Sequence, residues 1–490
     1  MPSAVAAAKL AILPTPAAYF GAGAVGRLPA ILSGTGRTAA VVVTDSGLAA
    51  GPAVASVTGL LAAAGVETAL FSGVHPNPTT ADVAAGADAV ARMQAAAGSA
   101  ALVAVGGGSP IDAAKGIALA AVNPQRGRDL DYRNEFARPA LPIVALPTTA
   151  GTGAETNAFG VVTDTATRRK FYVGHASALP AAVILDPELT IGLPAAATAA
   201  TGIDALTHAL ESYLSVRANP WSDGIALQVI KMIAASLPRA CADGTDLEAR
   251  SQMLLAAHMA GIGMAGTGLG ICHAIGHALG GRFDIPHGVT LAVLLPQVLR
   301  FNRPACAERF DEIAAALGAA VSRGGRGQRG SGAVIDVVTG LRDRIGLPQA
   351  LADFGITAAD YDQIAADALD DEVLASTPRQ PDAADIRAIL QASQGRLAPG
   401  ASCPGRRRPA ETALLIQARF FARLGATRGG SPGCFAYTGG HGASSSPSAW
   451  SFALIASSGS SDCGSSAMPS HGSPVVSSRA AIAAIVNWSG

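Results

Sequence analysis

Residues 99–116 read SAALVAVGGGSPIDAAKG, and the fold follows from how this stretch changes character along its length. Its first half is an unbroken apolar run, the pattern of a strand buried on both faces. Three consecutive glycines, Gly106, Gly107 and Gly108, then give way to small helix-forming residues. Ser109 is placed to cap that helix, Pro110 suits its first position, and Asp112 would complete a capping box. A strand that runs through glycines into a helix aims backbone N–H groups and the helix dipole beyond the sheet, which favours a phosphate. The spacing is not G-x-G-x-x-G, and an ordinary tight turn has the same composition, so this stretch alone leaves both readings open.

Its neighbours extend the pattern. TAAVVVTDS (38–46), LPIVALPTT (141–149) and AAVILDPEL (181–189) read as further strands, and PAVASVTGLLAAAGV (52–66) as a helix between two of them. Alternation of strand and helix predicts a parallel sheet of βαβ units. The expected fold is therefore α/β over residues 1–190, a Rossmann-like nucleotide-binding domain. Two further features sit at the carboxyl ends of these strands, where open α/β sheets bind nucleotides. LPTTAGTGAET (146–156) offers Thr148, Thr149 and Thr152, with an N-capped helix start as the plain alternative. Asp45, ending VVVTD, is placed to accept adenosine ribose hydroxyls and would repel a 2′-phosphate, favouring NAD over NADP.

From about residue 191 the texture becomes helical. PAAATAATGIDALTHALESYLS (194–215), PWSDGIALQVIKMIAASL (220–237) and DIRAILQAS (385–393) carry helical periodicity, so residues 191–394 read as an all-α domain. SRGGRGQRGSG (322–332) reads as a loop between helices. Residues 395–490 differ again, being rich in Ser, Gly and Pro, with eight arginines against two acids and no lysine. This tail reads either as a low-complexity extension without a stable core or as out-of-frame sequence; only PAETALLIQARFFARLG within it looks helical.

Bulk properties exclude several classes. The formal net charge of zero gives no general attraction to nucleic acid or an anionic membrane. The six cysteines include no C-x-x-C pair, which suits a reducing cytoplasm and not a disulfide framework. No apolar run reaches the roughly 18 residues of a membrane span. The N-terminus, MPSAVAAAKLAILPTP, makes a poor signal peptide.

The helical half holds the densest chemistry. GICHAIGHALGGRFDIPHG (270–288) contains His273, His277 and His287, three of the nine histidines in the chain. His273 and His277 stand one turn apart on a helix and share a face. Upstream, GIDALTHALE pairs Asp204 with His208 at the same spacing. Two such pairs can close on one ion from opposite sides, and imidazole with carboxylate suits Zn²⁺, Fe²⁺, Ni²⁺ or Mn²⁺. A single histidine in an alanine-rich helix is more often a hydrogen-bonded core residue, but three with an aspartate are hard to explain as packing.

Taken in order, VVVTDSG, VGGGSPIDAAKGIA, LPTTAGTGAET, ILDPELTIGLP, TGIDALTHALESY and GICHAIGHALGGRFDIPHGV resemble the iron-containing (group III) alcohol dehydrogenases over about residues 10–394. The resemblance implies a dehydroquinate synthase-like two-domain fold. It makes Asp204, His208, His273 and His287 the metal ligands, for Fe²⁺ with Zn²⁺ as the alternative. His277 would instead lie beside the nicotinamide and the substrate as a catalytic residue. Gly107, Gly108 and Ser109 would hold the pyrophosphate, with Asp45, Thr148, Thr149, Thr152 and Lys170 also touching the dinucleotide. Phe159 and Met264 become candidates for the pocket wall. The implied activity is a metal-dependent NAD(P)-linked alcohol dehydrogenase or aldehyde reductase on short primary alcohols or diols, acting in the cytoplasm as a homodimer or higher homo-oligomer. The same fold serves glycerol dehydrogenase and 3-dehydroquinate synthase, whose sites keep fewer histidine ligands. A non-catalytic nucleotide- and metal-binding protein is the alternative of another class, and intact ligands argue against it.

Overall fold

A computed structural model of the chain describes residues 12–167, 169–319 and 329–395. The N-terminal segment to residue 11, residue 168, residues 320–328 and the tail from 396, including PAETALLIQARFFARLG, lie outside the described residues; of the expected 322–332 loop only 329–332 are described, and these begin a helix instead.

Among the described residues eight strands are seen: β1 (Ala17–Phe20), β2 (Ala39–Asp45), β3 (Glu67–Val74), β4 (Ala100–Gly106), β5 (Ile143–Pro147), β6 (Phe159–Thr163), β7 (Lys170–Gly174) and β8 (Ala182–Leu185). Six of them form one parallel sheet in the order β1-β8-β5-β4-β2-β3. The helices α1 (Leu28–Gly34), α2 (Pro52–Ala63), α3 (Thr80–Ala97) and α4 (Gly108–Ala120) connect and cover it. Side chains alternate along each central strand. Val41, Leu102 and Ile143 face α3 and α4, while Val42, Val103 and Val144 pack with Leu28, Leu32, Val57 and Leu61 of α1 and α2. Covering both faces explains why these strands read as unbroken apolar runs.

The short edge strand β1 and the edge strand β3 were not among the expected strands. β3 is only partly buried, so its pattern is amphipathic and less distinct. The antiparallel hairpin β6–β7, with Val161 opposite Tyr172, was also not expected; it carries both Phe159 and Lys170.

The strand order sets the crevice. From β2 the chain moves outward to β3, whereas from β4 it moves the other way to β5. The carboxyl ends of β2 and β4 therefore flank the switch point, where open α/β sheets bind ligands. Asp45 ends one and Gly106 ends the other.

Beyond β8 the described residues are helical: α5 (Ala195–Leu214), α6 (Pro220–Ala242), α7 (Leu247–Thr267), α8 (Ile271–Phe283), α9 (His287–Asn302), α10 (Ala307–Ala316), α11 (Arg329–Arg344), α12 (Tyr361–Leu369) and α13 (Ala383–Ser393). By length and composition α6 is the one single helix among the described residues that would cross a membrane, and the sharply bent pair α7–α8 passes only if taken together, but half of the apolar window of α6 is buried and it packs on α5 and α7. A single apolar cluster runs from the sheet through α4 into α5, α7, α9 and α13. The sheet and the helices therefore share one core.

Candidate metal and dinucleotide site

Two close approaches build the helical side of the site. Between α7 and α8 the axis turns by 106°, so α8 points its first turns at α5. At the start of α9, a Cβ on Gly288 would stand 2.1 Å from the carbonyl oxygen of Ala200. Only glycine lets α9 touch α5 there, and the contact delivers the adjacent His287 to the level of Asp204, one turn along α5.

The result is an oxygen ringed by imidazoles. Asp204 Oδ1 lies 3.2 Å from His208 Nε2, 3.5 Å from His273 Nε2 and 3.7 Å from His287 Nε2. Donor atoms about 2.1 Å from a tetrahedral ion stand about 3.4 Å apart, which these separations bracket. Donor atoms of Asp204, His208 and His273 all lie within 4.8 Å of one another. Asp204 Oδ1 and His273 Nε2 are buried without a hydrogen-bond partner. Buried polar atoms are rarely left so, and a cation between them would satisfy both. The donor set therefore fits a divalent transition metal.

Electrostatics point the same way. Burial alone would raise the Asp204 carboxyl, yet His208, His273 and His287 hold it well below the carboxylate range. Burial pushes His208 down to about 4, and His287 well below its ordinary value. Burial also opposes charge on His273, but Glu211 and Asp204 outweigh it and raise the imidazole to about 9. Two buried carboxylates thus favour positive charge in this cluster, which a bound cation would supply in place of a proton on His273.

Glu211 was not anticipated, although it stands one turn beyond His208 in HALE. Its carboxylate accepts from His273 Nδ1 at 2.6 Å, from Gly270 N at 2.8 Å and from Cys272 N at 2.7 Å. It therefore caps α8 and fixes the ring of His273 with Nε2 turned to Asp204, the outer-layer arrangement usual behind metal-binding histidines.

His277 behaves differently. Its Nδ1 lies 2.7 Å from Asp371 Oδ2, and its ring stacks on His287 at 5.3 Å. A carboxylate can only accept, so Nδ1 carries the hydrogen and Nε2 is left as the acceptor. Asp371 was not anticipated either; it lies 94 residues away and has no local signal.

On the sheet side, α4 begins earlier than expected. Gly107 is its N-cap, with no side-chain cap, and Gly108 its first residue. Ser109 and Pro110 lie inside the first turn, so Ser109 is not the cap. Asp112 completes no capping box but accepts from Val161 N on β6 at 3.0 Å. Gly106, at φ +152°, allows this early entry. The uncapped turn offers its amides to an anion more directly than the capped helix would have.

The threonine loop packs onto this turn. A Cβ on Gly107 would meet Thr149 Cγ2 at 3.2 Å, and one on Gly108 would meet Thr152 Cγ2 at 2.9 Å. Thr148 is buried, its amide donating to Gly106 O at 2.9 Å. Asp45 Oδ1 accepts from Gly47 N at 2.8 Å and Leu48 N at 3.0 Å, which holds its carboxylate at the end of β2. Lys170 is half-buried rather than a solvated charge: Nζ donates to Asn77 Oδ1 at 3.0 Å, and burial lowers its pKa. Asn77 in turn donates to Asp284 Oδ1 at 3.0 Å, at the end of α8. Phe159 is 43% exposed, its ring edge-on to Tyr132 at 5.4 Å, and Met264 is half-buried on α7.

Comparison with known proteins agrees with this architecture. Residues 15–187 match the family model for iron-containing alcohol dehydrogenase, and residues 198–394 the C-terminal model for the Fe-containing alcohol dehydrogenase family. The chain is 42% identical over 358 residues to 1,3-propanediol dehydrogenase of Klebsiella pneumoniae, covering 73% of this chain and 91% of that protein. It is 37% identical over 371 residues to lactaldehyde reductase of Escherichia coli (strain K12), covering 75% and 95%. Among solved structures, a 1,3-propanediol oxidoreductase superposes with a TM-score of 0.73 at 38% identity, over 78% of this chain and 99% of that one. The chain belongs to the iron-containing alcohol dehydrogenase family.

Proposed function

We propose that the protein is a metal-dependent, NAD-linked oxidoreductase that interconverts short primary alcohols or diols and their aldehydes. The observation that carries this reading is the set of three imidazole nitrogens gathered 3.2–3.7 Å from one buried Asp204 oxygen. Asp204, His208, His273 and His287 would hold the ion, with Fe²⁺ favoured by the family and Zn²⁺ the alternative. The uncapped turn at Gly107, Gly108 and Ser109 would take the pyrophosphate, flanked by Thr148, Thr149 and Thr152. Asp45 would receive the adenosine ribose, and Lys170 would approach the dinucleotide from the hairpin. The relatives include an NAD-dependent methanol dehydrogenase of Bacillus methanolicus, 37% identical over 376 residues, which supports NAD over NADP.

When bound, the metal supplies Lewis-acid polarisation of the substrate oxygen and the nicotinamide gives or takes the hydride. The chain itself orients and excludes water. Glu211 holds His273 in the tautomer that presents Nε2. Asp371 holds His277 so that Nε2 can accept a proton during oxidation and return it during reduction. A half-buried His277, 16% exposed at its side chain, gives that proton a way to solvent. Phe159 and Met264 would form a modest apolar wall without a carboxylate clamp, which suits small uncharged substrates. The described cysteines, Cys241, Cys272 and Cys306, are free thiols, which supports a cytoplasmic setting. Assembly as a homodimer or larger homo-oligomer is part of the same reading, and light scattering tests it.

The test is anaerobic removal of metal by chelation, reconstitution with Fe²⁺, and NADH oxidation with C2 to C6 aldehydes. Fe²⁺ should restore turnover that chelation abolishes. Full turnover in metal-free protein would end the reading.

A further inference from the structure

Lys115 is buried with none of its surface exposed, and the chemistry above gives it no part. It belongs to α4, the helix whose first turn forms the proposed phosphate shelf. All three of its strong acceptors lie elsewhere, in the loop that follows the threonines. Nζ donates to Ala154 O at 2.6 Å, to Asn157 Oδ1 at 3.1 Å and to Phe159 O. Three acceptors match the three hydrogens of an ammonium group. Asp112, one turn back on α4, lies 3.8 Å from Nζ and accepts from Val161 N. So α4 grips both the loop and the start of β6, where Phe159 sits.

The far side of the same loop is fixed to α7. Glu155 Oε1 lies 2.9 Å from His258 Nδ1, and both residues are buried. Three residues on, Gly261 meets the loop backbone: a Cβ there would stand 2.6 Å from Thr156 Oγ1 and 2.9 Å from Gly153 O. The helix after α7 carries His273. A chain of buried polar contacts thus runs from the phosphate shelf, through Lys115 and Glu155, to the helix pair bearing a metal donor. Stability alone does not call for it, since buried charges replaced by well-packed apolar groups are often neutral or stabilising.

We propose that Lys115 is a positioning residue that, with the Glu155–His258 pair, sets the distance between the dinucleotide and the metal. This rests on the reading of the site as a dinucleotide and metal centre. Hydride transfer is sensitive to that distance, and a shift of about 1 Å can cost about 100-fold in rate.

The experiment compares the metal-loaded wild type with Lys115→Met and, separately, Gly261→Ala, which pushes the loop off α7 while leaving Lys115 in place. Metal content, NADH affinity, kcat and the deuterium isotope effect on kcat with a C1-deuterated alcohol are measured on each. Both variants should keep metal and bind NADH within about threefold of wild type. Each should lose about 10- to 100-fold in kcat, with a larger isotope effect because hydride transfer becomes slower than product release. A merely structural role would lower the active fraction and leave the isotope effect unchanged, and that result overturns the proposal. So does a folded, metal-loaded Lys115→Met with kcat within twofold of wild type. If Lys115→Met does not fold, Gly261→Ala decides alone by the same criteria. A wild type without NAD-linked turnover sinks the functional reading and this inference together, whereas active wild type with unchanged variants sinks only the inference.

Discussion

Substituting Glu211 by Gln tests how the metal donors are held, and its size can be worked out from the contacts. The carboxylate receives two donors at Oε2, from His273 Nδ1 and Gly270 N, and one at Oε1, from Cys272 N. Glutamine keeps the shape but has one oxygen. The better placement puts that oxygen toward His273 and Gly270, leaving the NH₂ group facing the Cys272 amide. One buried N–H then loses its partner, at a cost of about 1–3 kcal/mol in stability. The bond to His273 also weakens from a charged to a neutral acceptor, so the ring is less well held and less basic. Outer-layer substitutions of this kind cost about 10- to 100-fold in metal affinity, or about 1.4–2.7 kcal/mol. Anaerobic competition against a chelator measures the affinity, and thermal unfolding of the metal-free protein measures the first effect separately. Metal affinity of Glu211→Gln within twofold of wild type would refute the idea that Glu211 prepares His273 for the ion.

Three further outcomes are expected. Asp45→Gly should raise kcat/KM for NADP at least about tenfold relative to NAD by removing repulsion of the 2′-phosphate; a wild type that already prefers NADP would contradict the role given to Asp45. Gly288→Ala should destabilise the fold by about 1–3 kcal/mol in thermal unfolding and lower metal content, because its Cβ meets the Ala200 carbonyl and drives His287 away from Asp204. The Asp131 carboxyl is held below the ordinary carboxylate range chiefly by its hydrogen bonds from Arg133, with Nη2–Oδ2 at 2.7 Å. A depressed acid stabilises the fold above its unfolded pKa of about 3.9 and loses that contribution as pH falls. Asp131→Asn should therefore be less stable than wild type at pH 7, and the gap in denaturant midpoint should narrow as the pH falls below the unfolded pKa of about 3.9 and through the lower folded one.

Central strands were legible because burial on both faces leaves no room for polar residues, and the runs at 39–43, 100–106 and 143–147 are uniformly apolar. The edge strands and the hairpin were not, because one-sided or partial burial lets polar and small residues intrude at Glu67, Thr68 and Lys170. The start of α4 was misread for a related reason: serine and proline carry strong cap preferences, but three glycines let the backbone turn before either is reached. Histidines spaced by one turn advertise a shared face, so Asp204, His208, His273 and His287 stood out. Long-range polar partners do not, since Asp371 reaches His277 across 94 residues and Lys115 reaches Phe159 across 44. Such partners are fixed by tertiary packing, and a single sequence carries no local trace of it.

The central claim is that one metal ion sits among Asp204, His208, His273 and His287, with His277 beside it and not on it. Metal analysis of purified His208→Ala, His273→Ala, His287→Ala and His277→Ala tests this directly, after reconstitution with Fe²⁺ under identical anaerobic conditions. The first three should lose bound iron and NAD-linked turnover together. His277→Ala should keep iron near the wild-type stoichiometry, because the imidazole nitrogens gathered round Asp204 Oδ1 are those of His208, His273 and His287 and the role proposed for His277 is proton transfer, while its turnover falls or its pH profile shifts. Loss of iron from His277→Ala to the same extent as from the other three, or retention of iron by all four, would contradict the account.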